Sequence, residues 1–217
     1  DNKVAQEFAS SRAEIERARK YGDLAEDLFT AMHEVIGHGS GKLDPKLTHE
    51  PAYYLKEYYS TLEETRADLM ALWNFWDPKL IQMGAMPNFD VAKAAYDGEA
   101  RAALTQLHEF PTGNTIEEDH RRGTQLIVNF IHDKTGAIQP IERDGKVYML
   151  VTSYPGMRKG VGMLLAELMR IKAEGDYGAA KALITKYGIH FNTAWRDQVV
   201  ARYKALDLPT YWVGINP

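Results

Sequence analysis

The 217-residue chain contains no cysteine. That excludes disulfides, thiolate zinc sites and a cysteine nucleophile. Any transition metal it held would have to sit on His, Asp or Glu. Long apolar runs are also missing, and none approaches the roughly 18 residues that cross a bilayer. Basic charge is not in excess: 26 Lys and Arg face 30 Asp and Glu, for a net charge of −4. No positive field therefore invites nucleic acid or an acidic membrane. No cationic start is followed by an apolar stretch, so no signal peptide is visible. A cytoplasmic location is the expectation, with a periplasmic or secreted one left open, because a lack of cysteine fits either redox compartment. The chain opens Asp1-Asn2-Lys3 without methionine, which implies a processed start or a longer parent.

What is present is an ordinary globular composition, 45% apolar and 26% charged. That suffices for a substantial core and fits one domain over residues 1–217. The periodicity predicts a mainly α fold with one small β-hairpin. Residues 4–20 alternate at helical spacing, with Gly22 as a stop. Asp23 would cap a second helix through Leu28, Met32, Val35 and Ile36, broken at Gly39-Ser40-Gly41. Pro51 suits the first turn of a third helix running to about Trp76. Further helices are expected over 89–109, 115–134, 156–174, 176–187 and 191–205. Residues 137–151 read as a hairpin turning at Asp144-Gly145, and 208–217 as an extended tail.

The strongest signal is His33-Glu34-Val35-Ile36-Gly37-His38. It is an H-E-x-x-H zinc motif, two histidines as ligands and a glutamate as base, with one residue inserted. On a regular helix, positions i and i+5 lie about 140° apart. The two histidines would then diverge, so the spacing predicts a π-type bulge or looped-out turn at about 35–38. Gly37 would supply backbone latitude there. A catalytic zinc takes three protein ligands and leaves one position open. Glu64 and Asp68 share a helix face at i, i+4. Glu64 could complete the site while Asp68 accepts the free N–H of a ligating histidine. Glu63 could reach the other histidine from the side. The segment Gly37 to Lys42 is not a phosphate loop, because Ile36 stands where glycine is required and Leu43 follows the lysine.

Together, H-E-x-x-G-H followed by Gly39-Ser40-Gly41-Lys42-Leu43, and then Glu63-Glu64-Thr65-Arg66-Ala67-Asp68, resemble the dipeptidyl peptidase III family. Glu118-Asp119-His120-Arg121-Arg122 looks like the helix start that carries that family's catalytic histidine. Met157-Arg158-Lys159-Gly160 to Gly175-Asp176-Tyr177-Gly178 looks like its helix pair. The resemblance implies a helical zinc-metallopeptidase catalytic domain with a distorted active-site helix. It implies Zn²⁺ on His33, His38 and Glu64, with Glu34 as general base and His120 stabilising the oxyanion. Glu63 and Asp68 would support the histidines from behind. The implied reaction is release of N-terminal dipeptides from short peptides, and the family's second lobe would be absent from this chain. The sequence departs at Thr124, where the family often has arginine; Arg121 or Arg122 could stand in.

Other features read as structural. Tyr53, Tyr54, Tyr58, Tyr59, Trp73, Phe75 and Trp76 read as core packing rather than a substrate platform. Leu164, Leu165, Leu168 and Met169 read as a buried helix face. His49, His108, His132 and His190 have no partner spacing. Arg158 and Lys159 read as a solvated pair rather than a grip on a substrate carboxylate. The rival readings are a non-catalytic zinc- or peptide-binding domain, a helical interaction protein without metal, and a zinc lobe inactive without its partner lobe. Glu34 argues against the first, because a structural site has no use for it.

Overall fold

A computed structural model describes residues 3–208. The expected extended tail lies, apart from Leu208, outside the described residues. The fold is mainly helical with one two-stranded antiparallel sheet. The first helix ends earlier than the periodicity implied. Helix α1 covers Lys3–Phe8, and α2 runs unbroken over Arg12–Met32, straight through Gly22. The break falls at 9–11 because Ser11 caps α2, its hydroxyl accepting from the Glu14 N–H. Glu14 in turn accepts from the Ser10 N–H and hydroxyl at 2.7 Å. This is a variant of the S-x-x-E capping box, and it outweighs a mid-helix glycine.

The third expected helix is split. Helix α3, Pro51–Leu55, ends where Lys56 takes φ = 51°. A 3₁₀ turn at Lys56–Tyr58 leads into α4, Tyr59–Asn74. A short α5, Pro78–Gln82, capped by Asp77, was not foreseen. Helix α6 is Asp90–Thr105, followed by a 3₁₀ turn at Gln106–Glu109. Helix α7 is Asp119–Thr135, starting later than expected because the Glu118 carboxylate caps the His120 and Arg121 N–H groups. The hairpin β1 (Ile138–Arg143) and β2 (Lys146–Val151) turns at Asp144-Gly145, both with positive φ, as a two-residue turn requires. Helices α8 (Tyr154–Glu174), α9 (Tyr177–Tyr187) and α10 (Thr193–Leu206) follow among the described residues. Among the described residues, no helix is long and apolar enough to cross a membrane.

Helix α4 is the axis of the packing. It lies against α2, α7, α8 and the turn that follows α2. Leu62, Leu69 and Leu72 are fully buried on it, each contributing about 2 kcal/mol of apolar burial. It is sealed on nearly every side, yet it also buries Glu63, Arg66 and Asp68. Buried charges persist only when paired or bound to something, so α4 is where the chemistry should be sought. Of the aromatic set, Phe75 is buried and Trp76 packs against the core, whereas Tyr53 is 63% exposed and Trp73 is 39% exposed. The core reading thus fails for those two. Tyr53 stacks on His49, and Trp73 carries the Arg158 guanidinium 4.7 Å from its ring centre.

Candidate metal centre

Helix α2 does not end at Met32. It passes into a π turn over His33–Gly37, closed by the His38 N–H donating to the His33 carbonyl at 3.1 Å. That is the i→i+5 bond, and it places residues five apart nearly one above the other. The distortion anticipated at 35–38 starts two residues earlier. Gly37 serves it differently from expectation. Its φ is not positive, so backbone freedom is not the requirement. A Cβ at position 37 would lie 2.8 Å from the Ala67 Cβ and 2.9 Å from the Ala67 Cα. Glycine therefore lets the π turn press directly onto α4.

That close approach brings three donor atoms together. His33 Nε2 and His38 Nε2 are 3.1 Å apart, and Glu64 Oε2 lies 3.2 Å from the first and 3.5 Å from the second. With the Nδ1 hydrogens of both rings facing the carboxylates behind them, the three atoms present lone pairs to one another, an arrangement that a shared proton or a cation among them would relieve. An ion about 2.0–2.1 Å from each of three tetrahedrally arranged donors sets them about 3.3–3.4 Å apart. The triangle's edges of 3.1, 3.2 and 3.5 Å bracket that spacing. The Glu34 carboxylate comes within 4.8 Å of a ring nitrogen of each histidine, and the three residues form a group that could hold a metal ion. Glu64 fits the third position better than Glu34, because its oxygen sits at tetrahedral-edge spacing while Glu34 is exposed and stands off.

The support behind the histidines follows the same logic. His33 Nδ1 meets Asp68 Oδ1 at 2.7 Å, and His38 Nδ1 faces Glu63 Oε1 at 3.4 Å. Each Nδ1–H pointed at a carboxylate leaves Nε2 as a lone pair aimed into the triangle. The Asp68 hydrogen bond raises the His33 pKa above the ordinary histidine range, with Glu64 and Glu34 adding to the effect against the opposing pull of burial. Glu63 stays below the usual carboxylate range even though burial pushes it up, because Arg66 and Lys172 hydrogen-bond to it.

His120 sits in the first turn of α7. Its Nδ1 is 3.7 Å from Glu64 Oε2, and its ring centre is 6.4 Å from that of His33. Its side chain is 58% exposed. The site is thus sealed on the side of His33 and Asp68 and open on the side of Glu34 and His120. All seven sequence-predicted residues converge. Arg121 and Arg122 do not stand in for the missing arginine. Arg121 pairs with Glu109 at 2.8 Å, and Arg122 donates to the Ile116 carbonyl at 2.7 Å. The remaining histidines read as structural: His108 stacks on Tyr203, His132 bonds the Ile138 carbonyl, and His190 bridges Thr115.

Two contributors escaped the sequence reading. Arg66 lay inside the quoted motif without a role, and it binds Glu63 through Nε and a terminal nitrogen. Lys172, 2.9 Å from Glu63 Oε2, was legible only as a cation on the apolar stripe of Leu164, Leu168 and Ile171.

No protein-family model matches the chain, and no curated protein matches it. Solved structures do. The chain is similar to dipeptidyl peptidase III from Caldithrix abyssi, with a TM-score of 0.72 and 25% identity, over 93% of this chain and 35% of that one. It is also similar in fold to dipeptidyl-peptidase III from Corallococcus sp. strain EGB, with a TM-score of 0.72 and 23% identity, over 95% of this chain and 36% of that one. The chain spans about a third of the length of both. In fold it is a dipeptidyl peptidase III-like helical segment.

Proposed function

We propose that this chain is the zinc-binding catalytic domain of a peptidase that releases N-terminal dipeptides from short oligopeptides. The observation that carries the reading is the triangle of His33 Nε2, His38 Nε2 and Glu64 Oε2 at 3.1–3.5 Å, set in a dipeptidyl peptidase III-like fold. His33, His38 and Glu64 would hold Zn²⁺. A zinc ion there supplies a Lewis acid that acidifies water and polarises the scissile carbonyl. Glu34, exposed beside the two rings, accepts the proton from water and passes it to the leaving amine. His120, on the open side, donates a hydrogen bond to the oxyanion; one such donor is typically worth about 3 kcal/mol of barrier. Asp68 and Glu63 hold the two rings in the tautomer that leaves Nε2 free. The grip on the peptide's N-terminus would come from a second lobe, in keeping with the third of the relatives' length that this chain spans.

The test uses metal first and turnover second. Protein stripped of metal should take up one zinc per chain, and Glu64→Ala or His33→Ala should abolish uptake at low free metal. Glu34→Gln should keep the zinc and lose dipeptide release from an oligopeptide with a free N-terminus. Turnover by Glu34→Gln at the parent rate would remove the base assignment. Stoichiometric zinc on Glu64→Ala would remove the ligand set.

A further inference from the structure

Glu63 is held more firmly than a residue supporting one histidine needs. Arg66, with no exposed surface, donates to Glu63 Oε1 at 2.5 Å and to Oε2 at 3.2 Å, and reaches the Ser40 hydroxyl at 2.6 Å. Lys172 arrives from the last turn of α8. Its ammonium lies 2.9 Å from Glu63 Oε2 and donates to the Ser40 carbonyl at 3.4 Å. Both partners of that pair are 10% exposed. Gly41, at φ = 100°, closes over the lysine stem, where a Cβ would stand 3.3 Å from Cδ and Nζ. Lys172 thereby ties together α8, α4 and the loop that leaves the π turn. His33 is supported differently. Its partner Asp68 meets the ring itself at 2.7 Å.

The His38 contact to Glu63 is the loose one, at 3.4 Å against 2.7 Å for His33 and Asp68. A carboxylate that far from the ring orients it only if it cannot swing away. Arg66 grips both oxygens from one side, and Lys172 anchors Oε2 from the other, which leaves Oε1 facing His38. We propose that Lys172 is a positioning residue of the metal centre, acting on His38 through Glu63, so that metal affinity depends on a lysine that does not touch the metal. The inference rests on the zinc reading above.

The experiment is zinc affinity by chelator competition on the parent chain, Lys172→Met, Lys172→Arg, Glu63→Gln and the double variant Lys172→Met/Glu63→Gln. It is paired with the visible spectrum of each protein loaded with Co²⁺. Lys172→Met should weaken zinc up to about 10-fold, the lower end of what losing a ligand's own hydrogen-bond partner such as Glu63 costs, and should alter the Co²⁺ spectrum. Lys172→Arg should recover most of the affinity. In the Glu63→Gln background, Lys172→Met should cost nothing further, because its route of action is already gone. If the methionine variant fails to fold, Lys172→Gln replaces it with the same expected loss. Parent-like affinity in the lysine variant, or an equal loss with and without Glu63, would overturn the proposal while leaving the metal reading standing. A parent chain that takes up no zinc would overturn both.

Discussion

Gly37→Ala adds one methyl group at the tightest point between the π turn and α4. The new Cβ would sit 2.8 Å from the Ala67 Cβ, 2.9 Å from its Cα and 3.0 Å from its carbonyl oxygen. Unbonded carbons rest about 3.5–4.0 Å apart, so the overlap is about 0.7 Å or more. Two of the three atoms it meets are backbone atoms of a buried helix and cannot rotate away. Overpacking of this kind costs about 1–3 kcal/mol, against a gain of up to about 1 kcal/mol for replacing glycine in a helical segment. The net expectation is a loss of about 1–2 kcal/mol. The same overlap moves the histidine-bearing turn away from Glu64, which lies on α4, and metal sites tolerate only about 0.2 Å in ligand distance. Zinc affinity should fall at least about 10-fold with it. Gly22→Ala is the matched control. It lies inside α2, and its added Cβ would meet nothing within 4 Å. It should stabilise the chain by about 0.5–1 kcal/mol and leave zinc affinity unchanged. Urea denaturation of the metal-free proteins and chelator competition read both quantities. If Gly37→Ala is as stable as Gly22→Ala and binds zinc like the parent, the close approach is not the reason for glycine at position 37.

Three further outcomes follow from the charges. Metal binding must displace a proton from Nε2 of His33, whose pKa Asp68, bonded to Nδ1, raises above the ordinary histidine range. Zinc affinity should therefore begin to fall at a higher pH than for an unassisted histidine, and Asp68→Asn should move that onset downward, measured by competition titrations across pH. In the metal-free chain the same raised pKa stabilises the fold fully below the unfolded histidine value and ceases to do so as pH rises through the folded one, so the Asp68→Asn stability deficit should shrink above neutrality. Glu99 has a buried oxygen without a hydrogen-bond partner, and burial pushes its carboxyl up to about 8. An acid raised on folding destabilises once it must ionise, and a shift of this size corresponds to on the order of 5 kcal/mol, so Glu99→Gln should add several kcal/mol well above pH 8. That gain should vanish at pH values below the ordinary carboxylate range, as pH-dependent denaturation would show.

The pairing of His33 with His38 was legible because its logic is local. Histidines five residues apart meet only if the helix distorts, by a π-type bulge or a looped-out turn, and i, i+4 spacing puts Glu64 and Asp68 on one face, while the choice of Glu64 as third member came from the family resemblance. The hairpin was legible from Asp144-Gly145 for the same reason. The helix ends were less so. Gly22 was read as a stop although the capping signal lay at Ser11 and Glu14, and Lys56 breaks a helix with a backbone conformation that its residue type does not announce. Arg66 and Lys172 were missed because their partnership runs between α4 and α8, and no sequence period records which buried cation meets which carboxylate. Gly37 was read as a source of backbone latitude rather than of the space that Ala67 requires, since that neighbour belongs to another helix.

The central claim is that His33, His38 and Glu64 enclose one ion. Crystals of the metal-loaded chain, measured with X-rays above and below the zinc absorption edge, test it directly. The account predicts a single strong anomalous peak about 2.0–2.2 Å from His33 Nε2, His38 Nε2 and a Glu64 oxygen. A fully loaded crystal with its zinc elsewhere, and these three side chains uncoordinated, would contradict it.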